Sequence, residues 1–484
     1  MTALTNLSLT GLSLTSVILA AGQGTRMQSK LTKMLHPVGG KPMIEYGVEA
    51  ARQLGDRPPV LVVSPDSDTL RAHFGDRVVF VEQSNPQGTG HAVQVATETL
   101  RGKSDLVLAF YGDMPLLRPE TFRQMVTIHT SSPANPAVTM LTFVAPDPRG
   151  FGRVIRHADG TVAEIVEEAA ATPEQQAIRE LNVGVYVFDA DWLWDTLPRI
   201  TPTPPKNEYY LPDVVALANA DGRPVLAVAG QDADELLGIN TRVHLAEAEA
   251  ALRRRINREH MLNGVTIIDP ASTYIEPDVK IGQDTIIQPN TYLYGATVIG
   301  EDCEIGPNSM LYDATVGNGC RVYASVIQQS TLADRVQIGP FVRVRGGATL
   351  SDDVYMGNFG EVKGSQMGPG VKMGHFSYLG DAEVGAGANI GAGTITCNYD
   401  GVNKNKTIIG AGAFIGSDTM LIAPVTIGAG AQTGAGAVVR RPVPDGKVAV
   451  GIPARVIGDS RIAALKAAKQ QKIAAEKQKQ DGQG

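Results

Sequence analysis

A glycine-rich loop near the start of the chain is the first place where residue types and spacing could do chemistry. Gly22 and Gly24 follow an apolar, β-branched run at residues 16–20, and Arg26 and Lys33 come shortly after. Glycines let backbone N–H groups approach phosphate oxygens, and the two cations neutralise phosphate charge. The loop is not a Walker A motif, because no Gly-Lys-Ser/Thr follows it, and it lacks the third glycine of the dinucleotide fingerprint. Taken alone, it fits either a phosphate cradle or a tight turn.

Two further side chains could take part in chemistry, Asp113 and His375. Asp113 follows an apolar run at 106–111, which places it at the carboxyl end of a strand, the usual ligand side of an α/β sheet. A carboxylate there suits Mg²⁺ held against phosphate oxygens, although by itself it also fits a plain turn cap. His375 could serve as the general base that acyl transfer to an amine requires. By itself, a lone histidine such as His375 also fits a structural role.

The first half of the chain has the pattern of an α/β domain. Strands are predicted at residues 16–20, 60–63, 78–81, 106–111, 137–144 and 183–188, and helices at 43–54 and 91–100. Strands that alternate with helices favour a mostly parallel sheet covered by helices. Residues 243–262 contain no glycine or proline and are rich in Ala, Leu and Arg, so they predict one long helix that links the two halves.

The second half of the chain is a repeat. Apolar residues recur every six positions without a break from Ile275 to Leu311, and the pattern resumes after shifts at Leu332, Met367, Val384 and Ile409. The period is neither helical nor that of an alternating strand, and it predicts a parallel β-helix whose coils each hold three hexads. Most of the 53 glycines lie in this half, as expected for the corners, and the low aromatic content of 5% fits a narrow interior. The segment 397–407 interrupts the hexads as a polar loop.

Composition excludes several classes of protein. A hydrophobic content of 43% can supply a real core, so wholesale disorder is excluded. The net charge of −7 gives no basic field for nucleic acid. The three cysteines form no CxxC pair, which argues against a disulfide framework or a zinc site and fits a cytoplasmic location. The first residues carry neither a basic region nor a long apolar run, so we expect no membrane anchor. The tail after residue 461 fits a polar helix or disorder, and we expect disorder after about residue 470.

Read together, several N-terminal segments resemble the sugar-phosphate nucleotidyltransferases. They are the LAAGQGTRM opening with Lys33, the GTGHA loop at 88–92, the YGDMPL segment at 111–116, the GFGRV segment at 150–154 and the GINTR segment at 238–242. In that family the loop wraps the triphosphate, Gln83 reads a pyrimidine edge, and Asp113 and Asn240 hold Mg²⁺. The resemblance implies nucleotide and sugar contacts at Leu19, Ala20, Ala21, Gly22, Arg26, Lys33, Gln83, Gly88, Thr89, Tyr111, Gly112, Asp113, Gly152, Glu167, Asn182 and Asn240.

The second half resembles the hexapeptide acyltransferases, whose coils wind left-handed. The order of its polar residues is similar to that of one bifunctional bacterial family. The resemblance implies that His375 is catalytic, that Arg345, Lys363, Tyr378 and Asn389 bind the acetyl acceptor, and that Ala392, Asn398, Tyr399, Ser417 and Ala435 bind acetyl-CoA. Asn398 and Tyr399 are also candidates for stabilising the oxyanion. Some relatives have an arginine where this chain has Ile452, and Arg440 or Arg455 are candidate replacements.

From about residue 15 to 458 the chain resembles the family of N-acetylglucosamine-1-phosphate uridylyltransferase/glucosamine-1-phosphate acetyltransferases. The expected fold is a Rossmann-like α/β nucleotidyltransferase domain at 1–242, a helical linker at 243–263, a left-handed parallel β-helix of hexapeptide repeats at 264–458 and a tail at 459–484, partly disordered. The resemblance implies acetylation of glucosamine 1-phosphate by acetyl-CoA, then coupling of N-acetylglucosamine 1-phosphate to UTP with Mg²⁺, in a homotrimer. The alternative is a nucleotidyltransferase whose β-helix only assembles subunits or binds regulators.

Overall fold

The structure is a computed structural model that describes residues 11–22, 24–55, 57–145, 150–203, 207–460 and 471. Gln23 of the glycine-rich loop and the disorder expected after about residue 470 therefore lie outside the described residues. The chain divides into two compact units, Met1–Leu252 and Arg253–Gly484. The division falls within a 21-residue helix, Arg242–Leu262, which confirms the predicted helix. Its Ala, Leu, Arg and Glu residues are strong helix formers.

The first unit is built on a nine-stranded sheet, in which seven strands follow the order β11-β7-β10-β6-β1-β4-β5 and a β8–β9 hairpin is attached through β10. Its strands, with the small β2–β3 hairpin, are β1 (Leu14–Leu19), β2 (Pro37–Val38), β3 (Lys41–Pro42), β4 (Val60–Val63), β5 (Val79–Glu82), β6 (Leu106–Tyr111), β7 (Val138–Val144), β8 (Gly152–Arg156), β9 (Val162–Val166), β10 (Glu180–Asp189) and β11 (Val225–Ala229). Along the seven-strand path only β10 runs antiparallel to its neighbours, so the predicted mostly parallel sheet is confirmed.

Helices cover both faces of this sheet and enclose two apolar clusters, one on each side. Within the part of the chain that the structure describes, the α-helices of four or more residues are α1 (Met43–Arg52), α2 (Asp68–Phe74), α3 (Thr89–Gln94), α4 (Thr97–Leu100), α5 (Pro119–Ser131), α6 (Pro173–Gln176), α7 (Ala190–Thr196), α8 (Val214–Ala220) and α9 (Arg242–Leu262). The helical segment predicted at 91–100 is present as two helices, α3 and α4, with a turn at Val95-Ala96 between them. The β-branched residues Val93, Val95, Thr97 and Thr99 weaken helix formation there.

The second unit is a stack of short parallel strands in three sheets, one strand per sheet in each coil. The first sheet contains Thr266–Ile267, Ile286–Ile287, Glu304–Ile305, Arg321–Val322, Gln337–Ile338, Tyr355–Met356, Lys372–Met373, Asn389–Ile390, Phe414–Ile415, Gln432–Thr433, Lys447–Val450 and the antiparallel Arg455–Asp459. The second contains Tyr274–Ile275, Tyr292–Tyr294, Met310–Tyr312, Val326–Gln328, Arg343–Arg345, Gly360–Lys363, Ser377–Gly380, Ile395–Cys397, Met420–Ile422 and Val438–Val439. The third contains Lys280–Ile281, Val298–Ile299, Thr315–Val316, Thr331–Leu332, Thr349–Leu350, Gln366–Met367, Ala382–Val384, Thr407–Ile409 and Val425–Ile427.

The interior of this β-helix is filled by the hexad residues. Leu293, Leu311, Val344 and Leu421 are fully buried, and every predicted hexad residue except the partly exposed Ile281 is buried. Between Leu311 and Leu332 the inward residues are Val316, Val322 and Ile327, and the register shifts because three of the four steps are five residues long instead of six. The predicted left-handed parallel β-helix of hexapeptide repeats is confirmed.

Candidate active sites

The first site lies at the carboxyl ends of β1 and β6. These strands are parallel neighbours, and Leu19 pairs directly with Tyr111, so the loops that follow them leave the sheet side by side. The Gly112 N–H donates to the Leu19 carbonyl at 3.0 Å and fixes this arrangement. A cavity of about 280 Å³ opens here, lined by Leu19, Ala21, Gly22, Lys33, Met34, Gln83, Pro86, Gly88, Thr89, Ala92, Tyr111, Asp113 and Glu208.

Four of the predicted residues form one polar cluster beside this cavity. The buried Lys33 ammonium donates to Asp113 Oδ2 at 2.5 Å and to Asn240 Oδ1 at 2.8 Å. The Arg26 guanidinium donates to the same Asn240 oxygen at 2.9 Å. Residues more than 200 positions apart in sequence thus meet at one point. Asp113 Oδ2 and Asn240 Oδ1 therefore converge on the Lys33 ammonium, and the Arg26 guanidinium lies beside them.

One wall of the cavity is formed by Gln83 and the loop before α3. Gln83 Nε2 donates to the Gly88 carbonyl at 3.1 Å and lies 3.0 Å from His91 Nδ1. Gly88 has φ of 106°, and a Cβ there would lie 2.5 Å from the Tyr209 carbonyl oxygen. Thr89 Oγ1 accepts from the Leu211 N–H at 3.0 Å. The loop is therefore held against the segment 208–211, and Gln83 is fixed with its remaining amide atoms near the cavity.

The residues expected to bind the acceptor sugar lie together around β8 and β10. Gly152 pairs with Asn182 across β8 and β10, and a Cβ on Gly152 would lie 3.5 Å from Glu167 Oε1. Burial raises the pKa of Glu167, and the nearby Asp213 carboxylate raises it further. Asn182 Oδ1 accepts from the Tyr186 hydroxyl at 2.9 Å and from the Gly184 N–H at 3.2 Å. Burial strongly raises the pKa of the Tyr111 hydroxyl beside this group.

The second site lies on the β-helix and consists of two clusters. The first is a groove of about 530 Å³ on the first sheet, which holds the exposed His375 together with Asn389, Ala392, Ser417 and Ala435. Glycines at the same corner of successive coils, Gly374, Gly391, Gly416 and Gly434, line it. A Cβ at Gly391 or Gly416 would lie 2.6 Å from a backbone oxygen of the next coil, so glycine lets the coils stack closely here. Five of the ten predicted residues of this site therefore meet here.

The second cluster lies on the second sheet and the insertion at 397–407. Arg345 and Lys363 are neighbours on paired strands, and Tyr378 follows in the next coil, where it pairs with Glu361. Arg345 Nε donates to Glu361 at 2.7 Å, and Lys363 Nζ donates to Asp381 at 3.1 Å. The hydrogen bond to Asp381 raises the pKa of Lys363, whereas the neighbouring Lys363 lowers the pKa of Lys404.

The insertion itself is a short hairpin-like loop. Tyr399 and Lys404 form an antiparallel bridge, and the Asp400 carboxylate accepts from the N–H groups of Val402 and Asn403. Asn398 is buried and donates through Nδ2 to Asp381 Oδ2 at 2.5 Å, while Tyr399 is 61% exposed. Asn398 and Tyr399 thus lie beside the cationic cluster, and Asn389 lies in the groove. The sequence grouped them the other way, since Asn389 was expected with the acceptor and the other two with acetyl-CoA.

Sequence reasoning missed three residues of these sites and gave no separate role to a fourth, Arg153 of the GFGRV segment. Glu208 lines the first cavity, and Arg153 is only 2% exposed, with a guanidinium that donates to the Phe151 carbonyl and lies 3.8 Å from Glu168. Glu361 and Asp381 hold the two cations of the second site. A basic residue inside a strand, directly after Gly152, was a usable signal for Arg153 alone. The other three look like ordinary surface acids in the sequence.

Comparison with known proteins finds three family models in the chain. The MobA-like NTP transferase domain matches residues 16–181, the GMPPB C-terminal domain matches 269–372, and the bacterial transferase hexapeptide model, with six repeats, matches 406–441. The chain is similar to the bifunctional protein GlmU of Pelobacter propionicus, with 46% identity over 439 residues, 90% of this chain and 95% of the relative. It is also similar to the same protein of Geobacillus sp. (44%; 90% and 94%) and of Streptococcus equi subsp. zooepidemicus (43%; 91% and 96%). Within the described residues, no helix is long and apolar enough to cross a membrane.

Proposed function

The chain belongs to the family of bifunctional GlmU proteins, and we propose from this premise which of its residues perform each reaction. It is a bifunctional enzyme of UDP-N-acetylglucosamine synthesis. One activity acetylates glucosamine 1-phosphate with acetyl-CoA. The other transfers UMP from UTP to N-acetylglucosamine 1-phosphate and releases pyrophosphate. The uridylyl transfer is assigned to residues 1–242 and the acetyl transfer to residues 264–458.

The cluster of Arg26, Lys33, Asp113 and Asn240 is the observation that carries the uridylyl assignment. In the proposed reaction an oxygen of the sugar phosphate attacks the α-phosphorus of UTP in line, and pyrophosphate leaves. No protein nucleophile is needed, so the rate depends on positioning and charge neutralisation. Arg26 and Lys33 bind the triphosphate oxygens, and Gln83 with the Gly88-Thr89 loop binds the uracil and ribose. Gly152, Glu167 and Asn182 bind the acceptor sugar.

Mg²⁺ is the cofactor we propose for this site, held by Asp113 and Asn240. Their oxygens already converge on the Lys33 ammonium at 2.5 and 2.8 Å, so they can face one cation. Among the described residues no group of three or more His, Cys, Asp or Glu side chains could hold a metal. Two protein oxygens fit Mg²⁺, which commonly takes one or two carboxylates and fills its remaining positions with phosphate oxygens and water. When bound, the ion neutralises charge on the phosphates.

His375 is the general base proposed for acetyl transfer. An ammonium cannot attack a thioester, so a proton must leave the glucosamine nitrogen, and a neutral imidazole can accept it. Ala392, Ser417 and Ala435 lie in the same groove as His375, which supports their assignment to acetyl-CoA, with Asn389 beside them. Arg345 and Lys363 bind the phosphate of the acceptor, with Tyr378 next to them. Asn398 and Tyr399 are assigned to the acetyl group and its oxyanion.

We also propose that the protein acts as a homotrimer, with acetyl-transfer sites completed between subunits. His375 and Tyr399 are exposed within one chain, and a neighbouring subunit would enclose them. The described cysteines Cys303, Cys320 and Cys397 are free thiols, which supports work in a reducing compartment such as the cytoplasm.

Two assays on the full chain test the assignment. Wild type should release pyrophosphate from UTP and N-acetylglucosamine 1-phosphate with Mg²⁺, and CoA thiol from acetyl-CoA and glucosamine 1-phosphate. Asp113→Asn should lose the first activity alone, and His375→Asn the second alone. Asp66→Asn and His157→Asn change exposed residues outside both sites and serve as matched controls. No thiol from the wild type would favour the scaffold alternative, and equal thiol release from wild type and His375→Asn would refute the base assignment.

A further inference from the structure

Asp381 lies at a corner of the β-helix where its side chain is not needed for the turn. Its φ is 50°, and the equivalent corner residues of the preceding coils, Gly295, Asp313, Gln329, Gly346 and Gly364, also have positive φ. In each of four coils the N–H of this corner residue donates to a carbonyl of the coil before it, as Asp381 does to Lys363 at 3.0 Å. Glycine, glutamine and aspartate all make this corner, so the carboxylate of Asp381 has another role.

The carboxylate joins two residues that the proposed function assigns to different substrates. Lys363 Nζ lies 3.1 Å from Oδ1 and 3.4 Å from Oδ2 of Asp381. Asn398 Nδ2 donates to Oδ2 at 2.5 Å. Because an ionised carboxylate only accepts hydrogen bonds, the contact turns the Nδ2 end of the Asn398 carboxamide toward Asp381. One side chain therefore sets the position of the ammonium and the orientation of the amide.

The backbone of Asp381 also anchors the insertion that carries Asn398. Its carbonyl accepts from the Thr407 N–H at 3.2 Å, where the insertion ends and the next strand begins. Asn398 is the second residue of the insertion, and its carbonyl accepts from the Asn405 N–H at 2.6 Å. Asp381 therefore holds both ends of the insertion, Thr407 through its backbone carbonyl and Asn398 through its carboxylate.

Charge favours this arrangement. Lys363 and Arg345 are neighbours on paired strands, and the pKa of Lys404 is lowered most by Lys363 and least by Arg345, so three like charges lie close together here. Glu361 accompanies Arg345 at 2.7 Å, and Asp381 accompanies Lys363. Burial raises the pKa of Asp381, but the hydrogen bond from Asn398 and the ion pair with Lys363 outweigh burial and lower the pKa overall. The carboxylate therefore stays ionised and holds Lys363 in place against the other cations.

We propose that Asp381 is a positioning residue for acetyl transfer, which couples the acceptor-phosphate contact of Lys363 to the acetyl-group contact of Asn398. The inference rests on the proposed roles of these two residues. Asp381 itself is not assigned a contact with either substrate. Its effect on the reaction passes through the side chains that it holds.

Asp381→Asn is the variant that tests the proposal, because asparagine keeps the shape of the side chain and tolerates positive φ. We expect KM for glucosamine 1-phosphate and KM for acetyl-CoA each to rise about tenfold, which corresponds to about 1.4 kcal/mol. Pyrophosphate release should be unchanged. Asp313→Asn is the matched control, since Asp313 occupies the same corner with φ of 46°, and it should leave thiol release unchanged.

A simple electrostatic role gives the opposite result. Loss of a negative charge beside a phosphate site would lower KM for glucosamine 1-phosphate and leave KM for acetyl-CoA unchanged, and this pattern would overturn the proposal. Equal losses in Asp381→Asn and Asp313→Asn would assign the effect to the corner itself and would overturn it too.

Double variants separate coupling from general damage. Adding Asp381→Asn to Lys363→Ala should cause no further rise in KM for glucosamine 1-phosphate, because the group that Asp381 positions is already gone. Additive losses would refute the positioning role. The rate of thiol release by the wild type tests the proposed function. The ratios of KM between the variants test the positioning role of Asp381. Calorimetric titration with glucosamine 1-phosphate gives the same comparison of variants if the wild type proves inactive as an acetyltransferase.

Discussion

Gly184→Ala is expected to damage uridylyl transfer by displacing Tyr111. Gly184 lies in β10 with φ of 75°, and its Cα faces the Tyr111 ring. A Cβ at this position would overlap Tyr111 Cε2 and would lie 2.6 Å from Cδ2 and 2.9 Å from Cζ. Carbon atoms in favourable contact are about 3.5–4.0 Å apart, so the ring must move by about 1 Å or more. Tyr111 lines the first cavity and lies two residues before Asp113.

The expected size of the effect has two parts. A left-handed backbone costs an alanine about 1–2 kcal/mol, and overpacking a buried contact costs about 1–3 kcal/mol. We therefore expect the free energy of unfolding of the first unit to fall by about 2–5 kcal/mol. A misplacement of about 1 Å in an active site can cost on the order of 100-fold in rate, so kcat/KM for N-acetylglucosamine 1-phosphate should fall by about that factor.

Gly222→Ala is the matched control for this prediction. Gly222 has φ of 67° in the same unit, but a Cβ there would meet no atom within 4 Å. It therefore carries the backbone cost without the overlap. Pyrophosphate release and thiol release are measured on each variant, together with thermal unfolding, and thiol release should be unchanged in both. If Gly184→Ala and Gly222→Ala had the same kcat/KM for uridylyl transfer, displacement of Tyr111 would be refuted as the cause of the loss.

Three other predictions test the sites and the fold. Chelation of Mg²⁺ by EDTA should stop pyrophosphate release and leave thiol release intact, and the loss of both would contradict a metal confined to the first site. The pKa of Glu167 is raised in the folded protein, so the contribution of Glu167 to stability falls as pH rises from its unfolded pKa of about 4.3 through the folded value. Glu167→Gln should therefore raise Tm at pH 7 but not at pH 4. A Tm gain equal at both pH values would contradict this. Leu421 is fully buried in the β-helix, so Leu421→Ala should lower the free energy of unfolding of the second unit by about 2–5 kcal/mol, measured by denaturant unfolding. Uridylyl activity should be unchanged. A loss below about 1 kcal/mol would contradict close packing of this interior.

The repeat was the part of the fold that sequence predicted best, because a fixed period leaves few ways to bury one residue in six. It even located the insertion at 397–407, which interrupts the period. The α/β half was predicted less completely. The antiparallel pair β8 and β9 was missed, and so was the turn at Val95-Ala96 within the helical segment at 91–100. Its strands are ordered by long-range pairing such as Leu19 with Tyr111, and nothing local in the sequence records which strand lies beside which.

In the candidate sites, too, local motifs could be predicted from the sequence and long-range contacts could not. Asp113, Asn240 and Lys33 could be named from motifs, but their convergence on one point depends on contacts 80 and 207 residues apart in sequence. Asp381 could not be named at all. Aspartate is common at positive φ, so at a β-helix corner it looks like a residue chosen for the turn. Only its distances to Lys363 and Asn398 separate it from Asp313, which stands at the same corner without those partners.

The two halves of the chain place their polar residues by different means. In the sheet, the carboxyl ends of parallel strands bring loops together at one edge, so Gly22, Gln83 and Asp113 meet although each follows a different strand. In the β-helix, inward residues must be apolar or small, but outward and corner positions repeat every coil and are free to vary. Arg345, Lys363 and the corner residue Asp381 occupy neighbouring rungs of such ladders. A change at one rung leaves the interior packing intact, and for this reason Asp381→Asn should alter acetyl transfer without unfolding the coil that carries it.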